Sequence, residues 1–233
     1  MVVAYASGDT AAIDAATITE LNQGFLTELD ERAFPGLSLQ VEDHEHTERW
    51  QRRTRPLARR VAASIAVWAE DGDDVSPITA IVGDVWSDHS ACVVTETVPR
   101  WRTDHGISAT EPQPGVVVTS MLHRRTGLNF DQFVAHWRDV HQPMSLRIHP
   151  QHTYVRNLAT RAAVPASPQF DAICEEGFAS VDDVLEPSRF FGADAGAPWK
   201  DNARTIGDDV PLFLDTDHTV ATIMREYRLR DFR

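Results

Sequence analysis

Only two cysteines, Cys92 and Cys174, occur in the 233 residues, and they stand in separate strand-like segments. That excludes a disulfide framework, and neither residue has the spacing of a metal or redox motif; a reducing cytoplasm is the compartment they imply. Basic side chains are also scarce. Twenty-two Lys and Arg against 35 Asp and Glu leave a net charge of −13, which disfavours nonspecific binding to nucleic acid or anionic membranes. No apolar run approaches a membrane span, the first residues lack the pattern of a signal peptide, and no glycine-rich loop is present to cradle phosphates. What is there is an ordinary apolar fraction, 42%, in a chain long enough for one large domain or two of about 100 residues each.

The apolar patterning runs the same course twice. Val2 to Ala6 reads as a strand, and Ile18, Leu21, Phe25 and Leu29 form a helical stripe. Leu37, Leu39 and Val41 alternate as in a half-buried strand, and Ala63 to Ala69 is a second. Ser76 and Pro77 make an N-cap and N1 pair ahead of Ile78, Ile81, Val82, Val85 and Trp86, and Ala91 to Val98 closes the set. Residues 99–114, rich in Pro, Thr, Arg and Ser, read as a linker between domains at 1–98 and 115–233. The order then recurs: strand Val116 to His123, helix Asn129 to Gln142, strands His152 to Ala159 and Phe170 to Phe178, a helix capped by Ser180, a loop, and strand Val220 to Leu229. Each βαββαβ unit predicts a ferredoxin-like α+β layer with two helices on one sheet face. Packing the two open faces sheet to sheet would give an intramolecular dimeric α/β barrel with a cavity inside.

One helix carries the chemistry. Asn129 and Gln132 have capping-box spacing, and Leu128 and Phe133 sit at staple positions. At 100° per residue, Phe130, Phe133, Val134, Trp137, Val140 and Met144 fall within roughly 120° of one another. His141 lies in the same arc, just where Pro143 is expected to end the helix.

The run HRRTGLNFDQFVAHWRDVHQP resembles the hallmark of the EthD family of the dimeric α/β-barrel superfamily, with Gly127, Phe133, Trp137, His141 and Pro143 in register. The following HTYVRNLA, with Tyr154 and Asn157, is similar to that family's second strand. The match covers about 115–233, and the first half resembles the family only as a degenerate copy. The resemblance implies lyase, isomerase or dehydratase chemistry on a small hydrophobic cyclic intermediate, in a degradative or polyketide-type pathway. No metal or other cofactor is implied. The alternative is a non-catalytic accessory protein that holds such a molecule for a partner oxygenase. A haem enzyme on the same barrel is a third reading, though no histidine stands out as an axial ligand, and a further homodimer is compatible with the pattern.

His141 suits proton transfer near neutral pH, and equally suits a structural cap on the last carbonyls of the helix. Tyr154, with His152, could bring a hydroxyl near it. Strand alternation turns Thr119, Met121 and His123 towards the cavity, together with Asp171 and Glu175 on the third strand and Arg225 and Tyr227 on the fourth. With Trp137 and Asn157 of the motif, Thr119, His123, Glu175, Arg225 and Tyr227 are the candidate substrate contacts; a slip of one residue would exchange the faces. His136 reads as a surface residue. His44 and His46 alternate on what reads as a strand, without a third metal ligand, and Arg52, Arg53, Arg55, Arg59 and Arg60 form a basic island.

Overall fold

The computed structural model describes residues 2–7, 15–30, 34–51, 61–69, 76–85, 89–102, 106–163 and 170–230. The arginine island and Trp86 lie outside them. In the first half, β1 (Val2–Ser7), α1 (Ala15–Glu28), β2 (Gly36–Glu42) and α2 (His44–Gln51) precede β3 (Val61–Trp68), α3 (Ser76–Val85) and β4 (His89–Arg100). The second half opens with β5 (Val116–Leu122). Its long helix follows in three parts: α4 (Phe130–His136), a π-helical turn (Trp137–His141) and α5 (Gln142–Ile148). Then come β6 (Thr153–Ala162), β7 (Ala172–Phe178), α6 (Asp182–Leu185), α7 (Pro187–Phe190), α8 (Trp199–Phe213) and β8 (Val220–Arg230). None of the described helices is long and apolar enough to cross a membrane.

The strands close into an antiparallel barrel in the order β1-β3-β2-β8-β5-β7-β6-β4. Each half contributes four neighbouring strands, β4-β1-β3-β2 and β8-β5-β7-β6, and β2–β8 and β4–β6 are the seams. The halves thus meet edge to edge in one curled sheet, where the sequence suggested two sheets stacked face to face. Closure supplies partners for the backbone N–H and C=O groups that two separate sheets would leave bare along four edges. The long seam strands, β4 with 12 residues and β8 with 11, make that reach possible.

The apolar core is layered. Outside the barrel, Phe25, Leu29, Leu37, Leu39, Ile65 and Ile78 pack under the first-half helices. Phe133, Trp137, Tyr154 and Phe213 do the same under the second-half ones, beside a cluster of Val116, Val118, Phe178 and Ile223. Inside, Met121, Ile173, Met224, Val94 and Ala66 fill part of the lumen.

Three elements depart from the sequence reading. His44 and His46 lie on α2 rather than a strand; the Asp43 carboxylate accepts from the His46 backbone N–H at 3.4 Å and meets its ring at 2.7 Å, as a residue at a helix start can. Residues 199–213, read as part of a loop, form α8, which buries Asn202, Ile206, Asp209 and Phe213 at helical spacing. Pro143 does not end the helix. The Gln142 N–H bonds to the Trp137 carbonyl, the wider π spacing, and Pro143 falls in the first turn of the resumed helix, where a missing donor is tolerated.

Candidate functional site

The predicted site residues separate into groups on the two sides of the barrel wall. Asn129 starts the long helix with a complete capping box: its side chain accepts from the Gln132 N–H at 2.9 Å, and Gln132 accepts from the Asn129 N–H at 3.0 Å. That fixes the helix phase and drives Phe133 and Trp137 into the outer core. Trp137 and Tyr154 are each 1% exposed. The indole N–H donates to the Tyr154 hydroxyl at 2.9 Å. Burial raises the Tyr154 pKa well above its ordinary range, with Cys174 and Glu176 adding to the effect, so the hydroxyl stays protonated.

The π turn carries His141 towards α8. Its Nδ1 lies 2.8 Å from Asp209 Oδ2, and His136 Nε2 lies 2.8 Å from Asp209 Oδ1. Both imidazoles pack on Phe213, with centroids 4.9 Å and 5.0 Å away. Burial pushes the Asp209 carboxyl up, but hydrogen bonds from His141 and His136 outweigh it and hold the pKa below the usual carboxylate value. An ionised carboxylate only accepts, so each imidazole must donate to it. In a neutral imidazole so placed, Nε2 of His141 is the nitrogen with a lone pair. His136, read as a surface residue, is thus half of a shared-carboxylate pair. Asp209 was missed because its helix was missed; the four-residue and seven-residue intervals Asn202, Ile206, Asp209 and Phe213 were the available signal.

Inside the barrel, Thr119 and Glu175 lie where alternation put them, and Asn157 of the motif joins them. Asn157 Nδ2 donates to Glu175 Oε1 at 3.2 Å, and Gln40 Nε2 donates to Glu175 Oε2 at 3.1 Å. The Thr119 hydroxyl donates to Gln40 Oε1 at 2.6 Å. Gln40 comes from β2, so the first half supplies part of the lumen. A small cavity of about 40 Å³ opens at one mouth, lined by Trp68, Glu96, Trp101, Glu175, Glu226 and Arg228 among others. Trp68 donates to Glu96 at 3.2 Å, and Arg228 pairs with Glu226 at 3.0 Å while covering the Trp101 ring.

Three candidates lie elsewhere. His123 follows the far end of β5 from this mouth, its ring 6.0 Å from that of His218; burial lowers its pKa, opposed by Asp171. Asp171 is engaged at the same end by the Arg124 backbone N–H at 2.9 Å. Arg225 and Tyr227 point outwards, not into the lumen. Arg225 donates to the Gly115 carbonyl at 2.9 Å and lies 3.4 Å from Asp43, and Tyr227 packs in the apolar layer with Phe25 and Leu37. The reason is that the barrel buries both faces of β8. Its apolar residues Ile223, Tyr227 and Leu229 go under the helices, and the charged Glu226 and Arg228 face the lumen. Among the described residues no group of three or more His, Cys, Asp or Glu is placed to hold a metal ion.

Comparison with known proteins supports the fold. No curated protein matches the chain. Two solved structures share its fold over nearly the whole length. One is a protein described as a "putative monooxygenase" from Lactobacillus acidophilus NCFM (6% identity, TM-score 0.52, covering 98% of this chain and 95% of that one). The other is an anthrone oxidase-like protein (9% identity, TM-score 0.53, covering 99% and 92%). At such identities the likeness is one of fold, and it extends through the first half, where no motif was legible. Residues 125–217, which contain the capped helix, His141, Tyr154 and Asp209, match the family model of the EthD domain, and over that span the second half of this α/β barrel is similar to the family.

Proposed function

We propose that this protein is an EthD-like enzyme that moves a proton on a small hydrophobic cyclic intermediate, as a lyase, isomerase or dehydratase does, with His141 as the base. The observation that carries the reading is the 2.8 Å contact between His141 Nδ1 and the ionised Asp209. A carboxylate on one nitrogen fixes the imidazole tautomer, orients the ring and stabilises the cation formed when the other nitrogen takes a proton. His141 keeps partial access to solvent, 14% of its side chain, as a group meeting a ligand must. Tyr154 and Trp137 act as positioning residues: their buried hydrogen bond holds the π turn against the sheet. Thr119, Asn157 and Glu175 lie across the barrel wall from His141 and would meet only a second ligand held in the lumen. The strand order within each half supports two ferredoxin-like units in tandem, and the buried free thiols of Cys92 and Cys174 suit a cytoplasmic protein.

A test needs no knowledge of the substrate. A panel of small cyclic ketones, lactones and hydroxyaromatic ketones in D2O should show enzyme-dependent exchange of the proton beside the carbonyl, followed by NMR. We expect His141→Gln to keep the fold and lose exchange at least a hundredfold, and Asp209→Asn to lose about tenfold to a hundredfold. Saturable binding without exchange in the unaltered protein would assign it instead to the accessory role.

A further inference from the structure

A second group beside the π turn has no use in proton transfer. Arg156 lies on the outer face of β6, opposite Thr97 of β4 on one side and Cys174 of β7 on the other. The residue is 7% exposed, and its Nε and Nη1 are buried without an acceptor. Its guanidinium lies over Trp137, 5.6 Å from the ring centroid. The nearest carboxylate on the turn is already taken, since Asp139 accepts two hydrogen bonds from Arg138 at 2.7 Å each. Burial lowers the Arg156 pKa, with Tyr154 opposing, but an arginine stays charged in protein. A buried cation lacking acceptors on two nitrogens is among the least stable arrangements a fold can keep. An apolar residue of similar volume would serve packing better.

The surroundings leave a way in. Glu96 points into the lumen, so its neighbours Thr95 and Thr97, both exposed, lie on the outer face with Arg156. Planar oxyanions match the guanidinium fork.

We propose that the outer face of β4 and β6 beneath the π turn is a binding site for a small organic carboxylate, with Arg156 as its anion receptor and Trp137 beside it. The site stands whether or not His141 moves a proton.

The full chain is titrated with benzoate, benzamide and inorganic phosphate, read by the Trp137 indole N–H resonance and by calorimetry. Benzoate should bind at least tenfold more tightly than benzamide and than phosphate. Arg156→Met should lose at least tenfold in benzoate affinity while melting no lower than the unaltered protein, because it removes an unmatched charge. His141→Gln should bind benzoate unchanged, which separates this site from the proton-transfer reading. Equal binding of benzoate and benzamide by the unaltered protein overturns the proposal without recourse to any variant. So does tighter binding of phosphate, or benzoate affinity that survives Arg156→Met.

Discussion

The two halves of the barrel are laid out on one strand plan and furnished differently. In each, the first strand of the half lies between the fourth and the third, and the second takes the outer edge. In the first half the helix layer buries Ile18, Phe25 and Ile78, and its polar insert is the uncharged Asn22, whose amide donates to the Ala109 carbonyl at 2.6 Å. In the second half the equivalent layer holds His149, Arg156, Asp183 and Asp209, and every buried His, Arg and Asp among the described residues lies beyond Gly115. Burying an ion costs stability unless it is fully partnered. Among the described residues the first half holds fewer such groups, the Glu42 carboxylate with its side chain 7% exposed being one. Their concentration in the second half therefore points to function rather than to architecture.

If the frame is shared and only the furnishing differs, equivalent core truncations should cost the same. Phe25 and Phe133 are both essentially inaccessible, each under the first helix of its half. Phe25→Ala and Phe133→Ala should each lower stability by about 3–5 kcal/mol, measured by urea unfolding. A Phe25→Ala loss below about 1 kcal/mol, against a full loss for Phe133→Ala, would mean that the first half is a loosely held wall and not an equal partner.

The asymmetry should also appear as acid sensitivity. His149 is buried, with Nδ1 2.8 Å from the Phe190 carbonyl and its ring 4.1 Å from that of Phe190. Burial lowers its pKa from 6.5, with Glu176 and the Phe190 carbonyl opposing. The unfolded chain therefore takes up this proton first as pH falls. The stability contribution is complete above pH 6.5 and is lost as pH drops from there towards the folded value. One such proton gives a slope of up to about 1.4 kcal/mol per pH unit, and His123, also lowered, adds in the same direction. Amide exchange between pH 7.5 and 5.5 should show α5 and α7 losing protection before β2 and β3. His149→Gln should flatten that dependence; an unchanged slope would remove His149 as its source.

What the sequence made legible follows from how local each signal was. The eight strands and the capped helix were readable because alternation and the Asn129–Gln132 box are decided within a few residues. Inward placement of Thr119 and Glu175 followed from the same alternation. Arg225 and Tyr227 were misplaced because alternation fixes which residues share a face and not which face is inside; that depends on a barrel covering both sides of β8. Asp209 was lost with α8, whose Gly207 and Pro211 weaken the helical signal. The edge-to-edge seams depend on contacts between residues far apart in the chain, such as Gln40 with Glu226 and Arg100 with Tyr154, and leave no local trace.

Those seams make the sharpest test of whether the halves act as one. Gln40 of β2 reaches Thr119 of β5 and Glu175 of β7 by hydrogen bonds of 2.6 Å and 3.1 Å, all inside the lumen. Gln40→Leu leaves the Thr119 hydroxyl without its acceptor and Glu175 with one donor fewer, while Thr119→Val removes the hydroxyl and leaves the Gln40 oxygen bare. The double variant removes both ends together, so it should cost less than the two single losses added. We expect a coupling of about 1 kcal/mol from urea unfolding at neutral pH, the size of one buried neutral hydrogen bond. A coupling indistinguishable from zero would mean that the lumen holds two independent surfaces facing each other, and that only the β2–β8 and β4–β6 ladders join them.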